Sequence, residues 1–461
     1  MIPTFAVVGH PNKGKSSIVA TLAEDDGIAI GPTPGTTREA QQYVFRLDGE
    51  PHYVLVDTPG FQRVKAVFDW LQARATGAHQ RSGLVEEFVR VHADDDRFRD
   101  ECALLQPMID GAGILYVVDG AKPYGPEYEL EMQVLQWTGR PRMALINLIG
   151  EGDYVEQWRQ ALDQYFSIVR VFDAVHADFS KRIALLRGFG ELDESWREPI
   201  DRAVAALEKE RDRRRERAGA EIADCLVDTL NISERATLRP GDDAAGPEMR
   251  LTAALQDRIR KREARAREAV QGLYRHHGLQ HEVATAQLLD ADIFTEEGWE
   301  LFGLSHTQLV ISGVVSGAVA GGGIDALLGG ATFLLGAGIG ALIGGAGAWF
   351  GSDRLAKVEV LGQSLGGRVL RVGPVTSPNF PWVMLGRGWV HHRLVAERNH
   401  ARREAISLEV AADQHLMDAL PDDLRKRLGV LFKRIVGGDR DPATRRALCA
   451  RVGELLGTDY L

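Results

Sequence analysis

The feature that most constrains this chain is a loop near its start, residues 9–16, which reads G-H-P-N-K-G-K-S. It fits the pattern G-x-x-x-x-G-K-[ST], follows the strand-like stretch Thr4–Val8 and precedes the largely apolar stretch Ile18–Leu22. A strand, a glycine-rich loop and a helix in this order bind phosphate, because the loop N–H groups and the positive end of the helix dipole point at one anion. The loop therefore predicts a nucleotide-binding α/β domain.

The residue types in the loop suit a nucleoside triphosphate bound with magnesium. Lys15 can place a cation on the β- and γ-phosphates, where it would also serve catalysis, and the hydroxyl of Ser16 can ligate Mg²⁺. Gly9 and Gly14 let the backbone curl around the anion. We predict that the following residues contact the nucleotide: Gly9, His10, Pro11, Asn12, Lys13, Gly14, Lys15, Ser16 and Ser17.

Two further elements follow in the order that a nucleotide hydrolase requires. Residues 34–38 read P-G-T-T-R, and one threonine can complete the magnesium shell when the γ-phosphate is present; Thr37 is the first choice and Thr36 the alternative. Residues 57–60 read D-T-P-G after the strand-like stretch Tyr53–Val56. Asp57 can hold magnesium through water, while the N–H of Gly60 reads the γ-phosphate. The predicted magnesium ligands are thus Ser16, Thr37 and Asp57.

The three motifs together, G-x-P-N-x-G-K-S, P-G-T-T-R and D-T-P-G, resemble the Era and TrmE group of GTPases over about residues 1–178. The resemblance implies GTP and GDP as ligands and GTP hydrolysis, while pairing between two G domains stays open. It also implies that Asn12 ligates a potassium ion beside the phosphates and that Asn12 and Thr37 take part in catalysis. Phe61 stands where Ras-type enzymes carry a water-orienting glutamine, so low intrinsic turnover is expected.

The guanine end of the site departs from that family. The family pattern N-K-x-D is replaced by Asn147-Leu148-Ile149-Gly150, which lacks the carboxylate that binds two guanine N–H groups. Asp153 can substitute if the loop bulges. We predict that Asn147 and the backbone N–H of Ala174 lie on the base side of the site, and the selection of guanine stays open.

Strand-like stretches alternate with helix-like ones up to about residue 178, which predicts a parallel sheet with helices on both faces and a G domain over 1–180. A charge-dense helical arm is predicted over 191–300, with a loop at 239–243. Residues 353–461 are predicted to be a mixed α+β part, with short strands and a closing helical segment over 401–456. This layout is similar to bacterial proteins that pair such a G domain with the domain of unknown function numbered 3482. The predicted strands are Thr4–Val8, Tyr53–Val56, Ile114–Val118, Met143–Ile146, Ile168–Phe172, Lys357–Val360, Arg368–Val372 and Trp382–Leu385.

Between these parts lies a hydrophobic region, residues 301–352. The runs 301–324 and 326–352 contain no Asp, Glu, Lys or Arg, and only Asp325 separates them. Such runs are long enough to span a bilayer. They predict a glycine-zipper hairpin over Leu309–Phe350 that contacts membrane lipid; a buried hairpin in a soluble fold is the alternative. Its glycines are spaced by four residues, which suits close packing of helices: Gly313, Gly317, Gly321, Gly336, Gly340 and Gly344.

Composition limits the setting in which the chain works. The net charge of −10 gives no overall attraction to nucleic acid, so contact with RNA or a ribosome has to be local. The three cysteines are far apart, which predicts neither a disulfide framework nor a zinc site and fits a reducing compartment. The sequence lacks the pattern of an export signal at its start.

The functional hypothesis is a nucleotide-dependent molecular switch at the cytoplasmic face of the bacterial inner membrane. Two alternatives stay open. One is a soluble, cytoplasmic GTPase associated with RNA or the ribosome, and the other is a dynamin-like GTPase that remodels membranes.

Overall fold

The structure is a computed structural model, and its described residues fall into two compact units. The first is Met1–Arg211 with the segments Arg275–His277 and Glu397–Arg403, and the second takes the remaining chain. The hairpin over 301–352 lies outside the described residues, so the four-part division stays a prediction. Only the backbone is described at 356–360 and 363–368. The described residues are 2–25, 28, 40–239, 243–276, 293–294, 356–360, 363–377, 379–400 and 420–457.

The first unit is built on a six-stranded sheet. Its strands are β1 Thr4–Val8, β2 Gln41–Leu47, β3 Glu50–Asp57, β4 Gly113–Asp119, β5 Arg142–Asn147 and β6 Ile168–Val171. The spatial order is β2-β3-β1-β4-β5-β6, with β2 antiparallel to β3 and every other pair parallel. This confirms the predicted α/β fold with a mostly parallel sheet. The edge strand β2 was not predicted.

Helices cover both faces of this sheet, because successive side chains of a strand point to opposite faces. Phe5 and Val7 of β1 belong to one apolar core, whereas Ala6 and Val8 belong to another. The first core packs α1, α7 and the start of α8; the second packs α2 to α6. These helices are α1 Lys15–Ala23, α2 Val64–Gln72, α3 Arg81–Val91, α4 Arg99–Ile109, α5 Glu127–Trp137, α6 Val155–Leu162, α7 Phe179–Gly190 and α8 Glu194–Asn231.

Three of these helices, α2, α3 and α4, form an insert between β3 and β4 that the sequence analysis did not assign. An aromatic group joins α2 to α3: Trp70 and His92 both pack against Phe88, at ring distances of 5.4 and 4.7 Å. The carboxylate of Glu101 in α4 is fully buried and accepts the backbone N–H groups of Gln62 and Arg63. The insert is therefore fastened to the backbone that follows Gly60.

The second unit combines helices with a small antiparallel sheet of order β7-β9-β8. The predicted strand at Trp382–Leu385 is wrong, since these residues lie in a helix whose side chains are buried on nearly all sides. Such a short apolar run cannot be distinguished from a strand by periodicity alone. The elements are β7 Glu234–Leu238, α9 Ala245–Leu273, β8 Ala356–Val360, β9 Gln363–Val372, α10 Phe380–Glu397, α11 Asp422–Val436 and α12 Pro442–Gly457. Of the helices in the described part of the chain, none combines the length and the apolar character needed to span a bilayer.

Polar groups are buried between α9 and α10 of the second unit. Arg387 pairs with Glu263 at 2.6 Å, and both side chains are buried. The hydroxyl of Tyr274 lies 2.7 Å from His392 Nε2. Burial lowers the pKa of His391 to about 3 and that of His392 to about 4. Both imidazoles are therefore neutral at pH 7.

Acid is expected to destabilise this unit before its carboxylates titrate. Unfolded histidine has a pKa near 6.5, so the unfolded chain binds more protons and stability falls as the pH drops below about 6.5. At pH 5.5 the loss should reach about 3 kcal/mol for the two histidines together. Urea unfolding at pH 7.5 and 5.5 measures it. The double variant His391→Gln, His392→Gln is the control; an unchanged pH dependence in it would contradict the assignment.

Candidate nucleotide-binding site

The loop between β1 and α1 has backbone positions that only glycine fits. Gly9 has φ +143°, and a Cβ there would lie 2.3 Å from the carbonyl oxygen of Val117 in β4. Gly14 has φ +81°, and a Cβ there would lie 2.2 Å from Asn147 Nδ2. Both distances are far below van der Waals contact. The two glycines of the motif are thus needed for the loop to curl this closely against β4 and Asn147.

The lysine of the motif is held inside this curl. Lys15 Nζ donates to the carbonyl oxygens of Gly9 at 3.1 Å and His10 at 3.2 Å, and the residue is 8% exposed. Burial lowers the pKa of the Lys15 ammonium group, while the carboxylates of Asp57 and Glu131 raise it. A buried ammonium group that is held by loop carbonyls can form charge-assisted hydrogen bonds with the oxygens of a phosphate bound at the mouth of the loop.

Two of the predicted magnesium ligands meet directly. Ser16 Oγ donates to Asp57 Oδ2 at 2.7 Å, at the adjacent ends of α1 and β3. A hydroxyl and a carboxylate are hard oxygen ligands, and this donor set fits Mg²⁺. The third predicted ligand, Thr37, lies outside the described residues, as does its alternative Thr36.

The D-T-P-G turn packs against the same loop. A Cβ on Gly60 would lie 2.8 Å from Pro11 N, so only glycine permits this approach. Thr58 Oγ1 donates to Val7 O at 2.8 Å, which fastens the turn to β1. The next side chain, Phe61, is 3% exposed and belongs to the apolar core under α2 to α6. A buried phenyl ring cannot orient a water molecule.

A buried charge system behind the loop was not predicted. Glu131 in α5 is 2% exposed; its Oε1 lies 3.0 Å from His10 Nδ1 and its Oε2 accepts from Tyr116 Oη at 2.8 Å. Lys13 Nζ lies 3.8 Å from Asp119 Oδ2. Helix α5 contains three glutamates, Glu127, Glu129 and Glu131, so its composition does not single out Glu131. The side chains of His10 and Lys13 thus have protein partners, and their contact with nucleotide stays a prediction.

Asn147 links the loop to the base side. Its Nδ2 donates to Lys13 O at 3.2 Å, and its Oδ1 accepts from the N–H of Ala174 at 3.1 Å. The Ala174 N–H, which we expected to face the base, is therefore directed at Asn147. Asp153 is exposed, and its Oδ1 accepts from Val155 N at 3.4 Å. Its role as a substitute carboxylate stays a prediction.

Two protein families match successive parts of the chain. Residues 4–148 match the family described as 50S ribosome-binding GTPase, and residues 159–450 match the domain of unknown function DUF3482. The chain belongs to the DUF3482 family. In this DUF3482 protein the N-terminal part is a P-loop GTPase domain, which confirms both resemblances drawn from the sequence.

Similar proteins cover only parts of this DUF3482 protein. GTPase Der of Paraburkholderia phymatum is 25% identical over 234 residues, which is 51% of this chain and 43% of that protein. GTPase Der of Desulfitobacterium hafniense is 47% identical over 59 residues, 13% of each chain. The chain thus spans less than half the length of these curated relatives. A solved structure of Aquifex aeolicus Era bound to GDP.AlF4- covers 59% of this chain and 89% of its own, with 16% identity and a TM-score of 0.28.

The altered base motif N-L-I-G of the DUF3482 protein predicts a weak preference for GTP over ATP, because it supplies no carboxylate to the guanine. We expect Gly150→Asp to raise the preference for GTP over ATP by about tenfold or more, because a carboxylate can bind two guanine N–H groups. A Cβ at this position would lie 3.5 Å from the Cβ of Ala121, an ordinary contact, so the side chain fits. Competition titrations measure the preference. Gly150→Asn, of equal size but neutral, is the control, and equal gains in both variants would contradict this role.

Proposed function

We propose that this protein is a GTP-dependent molecular switch in which the P-loop domain binds and hydrolyses GTP with magnesium. The observation that carries the proposal is the meeting of Lys15, Ser16 and Asp57 around one loop. Lys15 would hold the β- and γ-phosphates, and Ser16 and Asp57 would hold the metal, which neutralises charge on the phosphates. Potassium at Asn12 and pairing of two G domains belong to this proposal as well.

The first candidate for the process served is an association with the ribosome or its RNA. Its support is the matched family over residues 4–148, which is described as ribosome-binding. With a net charge of −10, the chain would need a local contact surface for RNA. In this role the protein would act in the cytoplasm.

A second candidate is a switch held at the inner face of the membrane. Its support is the pair of charge-free runs at 301–324 and 326–352, which are long enough to span a bilayer. The hairpin Leu309–Phe350 lies outside the described residues. A membrane-remodelling role of the dynamin type would use the same region.

Cell fractionation separates these roles. For the first candidate, the full-length protein sediments with ribosomal particles in the presence of a non-hydrolysable GTP analogue, and Lys15→Ala reduces this. Retention of the protein in membranes after washing with high salt and alkaline carbonate would support the second candidate. Tubulation of liposomes by the protein would support the membrane-remodelling role. Purified protein that hydrolyses no GTP in magnesium would overturn the switch itself.

A further inference from the structure

A residue far along the chain is built into the GTPase unit. Asn399 follows α10, is 6% exposed, and belongs to the segment that groups with the first unit. Its Oδ1 accepts from Thr21 Oγ1 at 2.6 Å, and its Nδ2 donates to Ala177 O at 3.1 Å. Both ends of the amide are thus bound to the GTPase unit, one to α1 and one to the loop before α7.

The bond to Thr21 belongs to a series of hydrogen bonds that reaches the nucleotide site. The hydroxyl of Thr21 also lies 2.8 Å from Ala174 O, and the N–H of Ala174 donates to Asn147, which in turn donates to Lys13 O. Every member of this series is buried. A buried polar network fixes the positions of its members, because breaking one bond leaves a desolvated group without compensation.

The neighbouring residue supports the same attachment. The ring of His400 stacks on that of His276 with centroids 4.5 Å apart, and both residues are at least nine-tenths buried. His276 belongs to the other short segment of the first unit. The attachment of residues 399–400 therefore has a polar and a stacked component.

We propose that Asn399 is a positioning residue for the base side of the nucleotide site. It holds the loop at residues 174–177 directly and through Thr21, on the side of the site where Ala174 binds Asn147. The region matched by DUF3482 thereby completes the part of the site that meets the nucleoside, where the motif N-L-I-G supplies no carboxylate. The inference rests on GTP binding by this domain.

The test compares a complete nucleotide with a ligand that has no base. We expect Asn399→Ala in the full-length protein to weaken GTP binding by roughly fivefold to tenfold, as for the loss of a buried hydrogen bond. The affinity for inorganic triphosphate should stay unchanged, because Lys15 and the loop N–H groups remain. Isothermal titration calorimetry with both ligands, on one preparation, gives the two affinities and shows that the site is folded.

A pair of variants at the partner residue serves as an independent test. Thr21→Val removes the hydroxyl at nearly constant volume and should reproduce the loss, whereas Thr21→Ser keeps it and should restore GTP binding. Thr229→Ala is the control for destabilisation, since this buried hydroxyl bonds within α8 and should leave both affinities unchanged.

Unchanged GTP affinity in Asn399→Ala and Thr21→Val would overturn the proposal, and so would an equal loss for triphosphate. Failure of the wild-type protein to bind GTP would instead overturn the proposed function.

Discussion

Lys15→Ala is expected to weaken GTP binding by about a hundredfold or more, the scale of losing charge-assisted hydrogen bonds to the β- and γ-phosphates. The ammonium group is buried among loop carbonyls and is not part of an apolar core, so the variant should still fold. A fluorescent GTP analogue measures the affinity, and circular dichroism checks the fold.

The control for this variant is Lys65→Ala. Lys65 is exposed on α2, where it pairs only locally with Asp69 at 3.0 Å, so its loss should leave GTP binding intact. If the Lys15 variant bound the analogue as tightly as the wild type, the loop would not be the phosphate site.

GTP hydrolysis is expected to be faster in potassium than in sodium by about tenfold or more, because a bound cation can take part of the role of an arginine finger. Phe61, the residue directly after Gly60, is buried and has no polar group to orient water. Turnover is measured in the two salts at equal ionic strength.

The residue to change in this experiment is Asn12, whose backbone lies in the left-handed region at φ 61°. Asn12→Gly removes the side chain while keeping that conformation accessible, which alanine would not do without strain. The difference between salts should disappear in this variant. Equal rates in the wild type would exclude potassium and indicate a cation supplied by protein.

The parts of the fold that were predictable are those specified locally. The largely apolar stretches at 4–8, 114–118 and 143–146 are strands that are buried on both faces of a parallel sheet, which is why they appear as continuous apolar runs. The insert of α2 to α4 was missed because its apolar residues are spread over three short helices. Residues Trp382–Leu385 were predicted to be a strand but lie in the helix Phe380–Glu397. This helix is buried on nearly all sides, so its sequence lacks the periodic pattern of polar and apolar residues that distinguishes a helix from a strand.

In the candidate site, too, the residues of local motifs were predictable, whereas residues brought in from distant parts of the chain were not. The loop from Gly9 to Ser16 lies against Asp57 and Gly60 because the ends of β1 and β3 are adjacent, and their contact with nucleotide stays a prediction. Glu131 and Asn399 were missed, since each reaches the site through contacts between distant parts of the chain. No spacing rule relates Thr21 to a residue 378 positions later.

The buried carboxylate of Glu101 ties the insert of α2 to α4 to the backbone after Gly60, and this tie limits how related sequences can vary. The carboxylate accepts two backbone N–H groups just after the D-T-P-G turn, and it is supplied by the last helix of the insert. A homologue that lost α2 to α4 by deletion would leave those N–H groups without their acceptor. The insert and an acidic residue at this position are therefore expected to have been gained together and to be lost together among relatives.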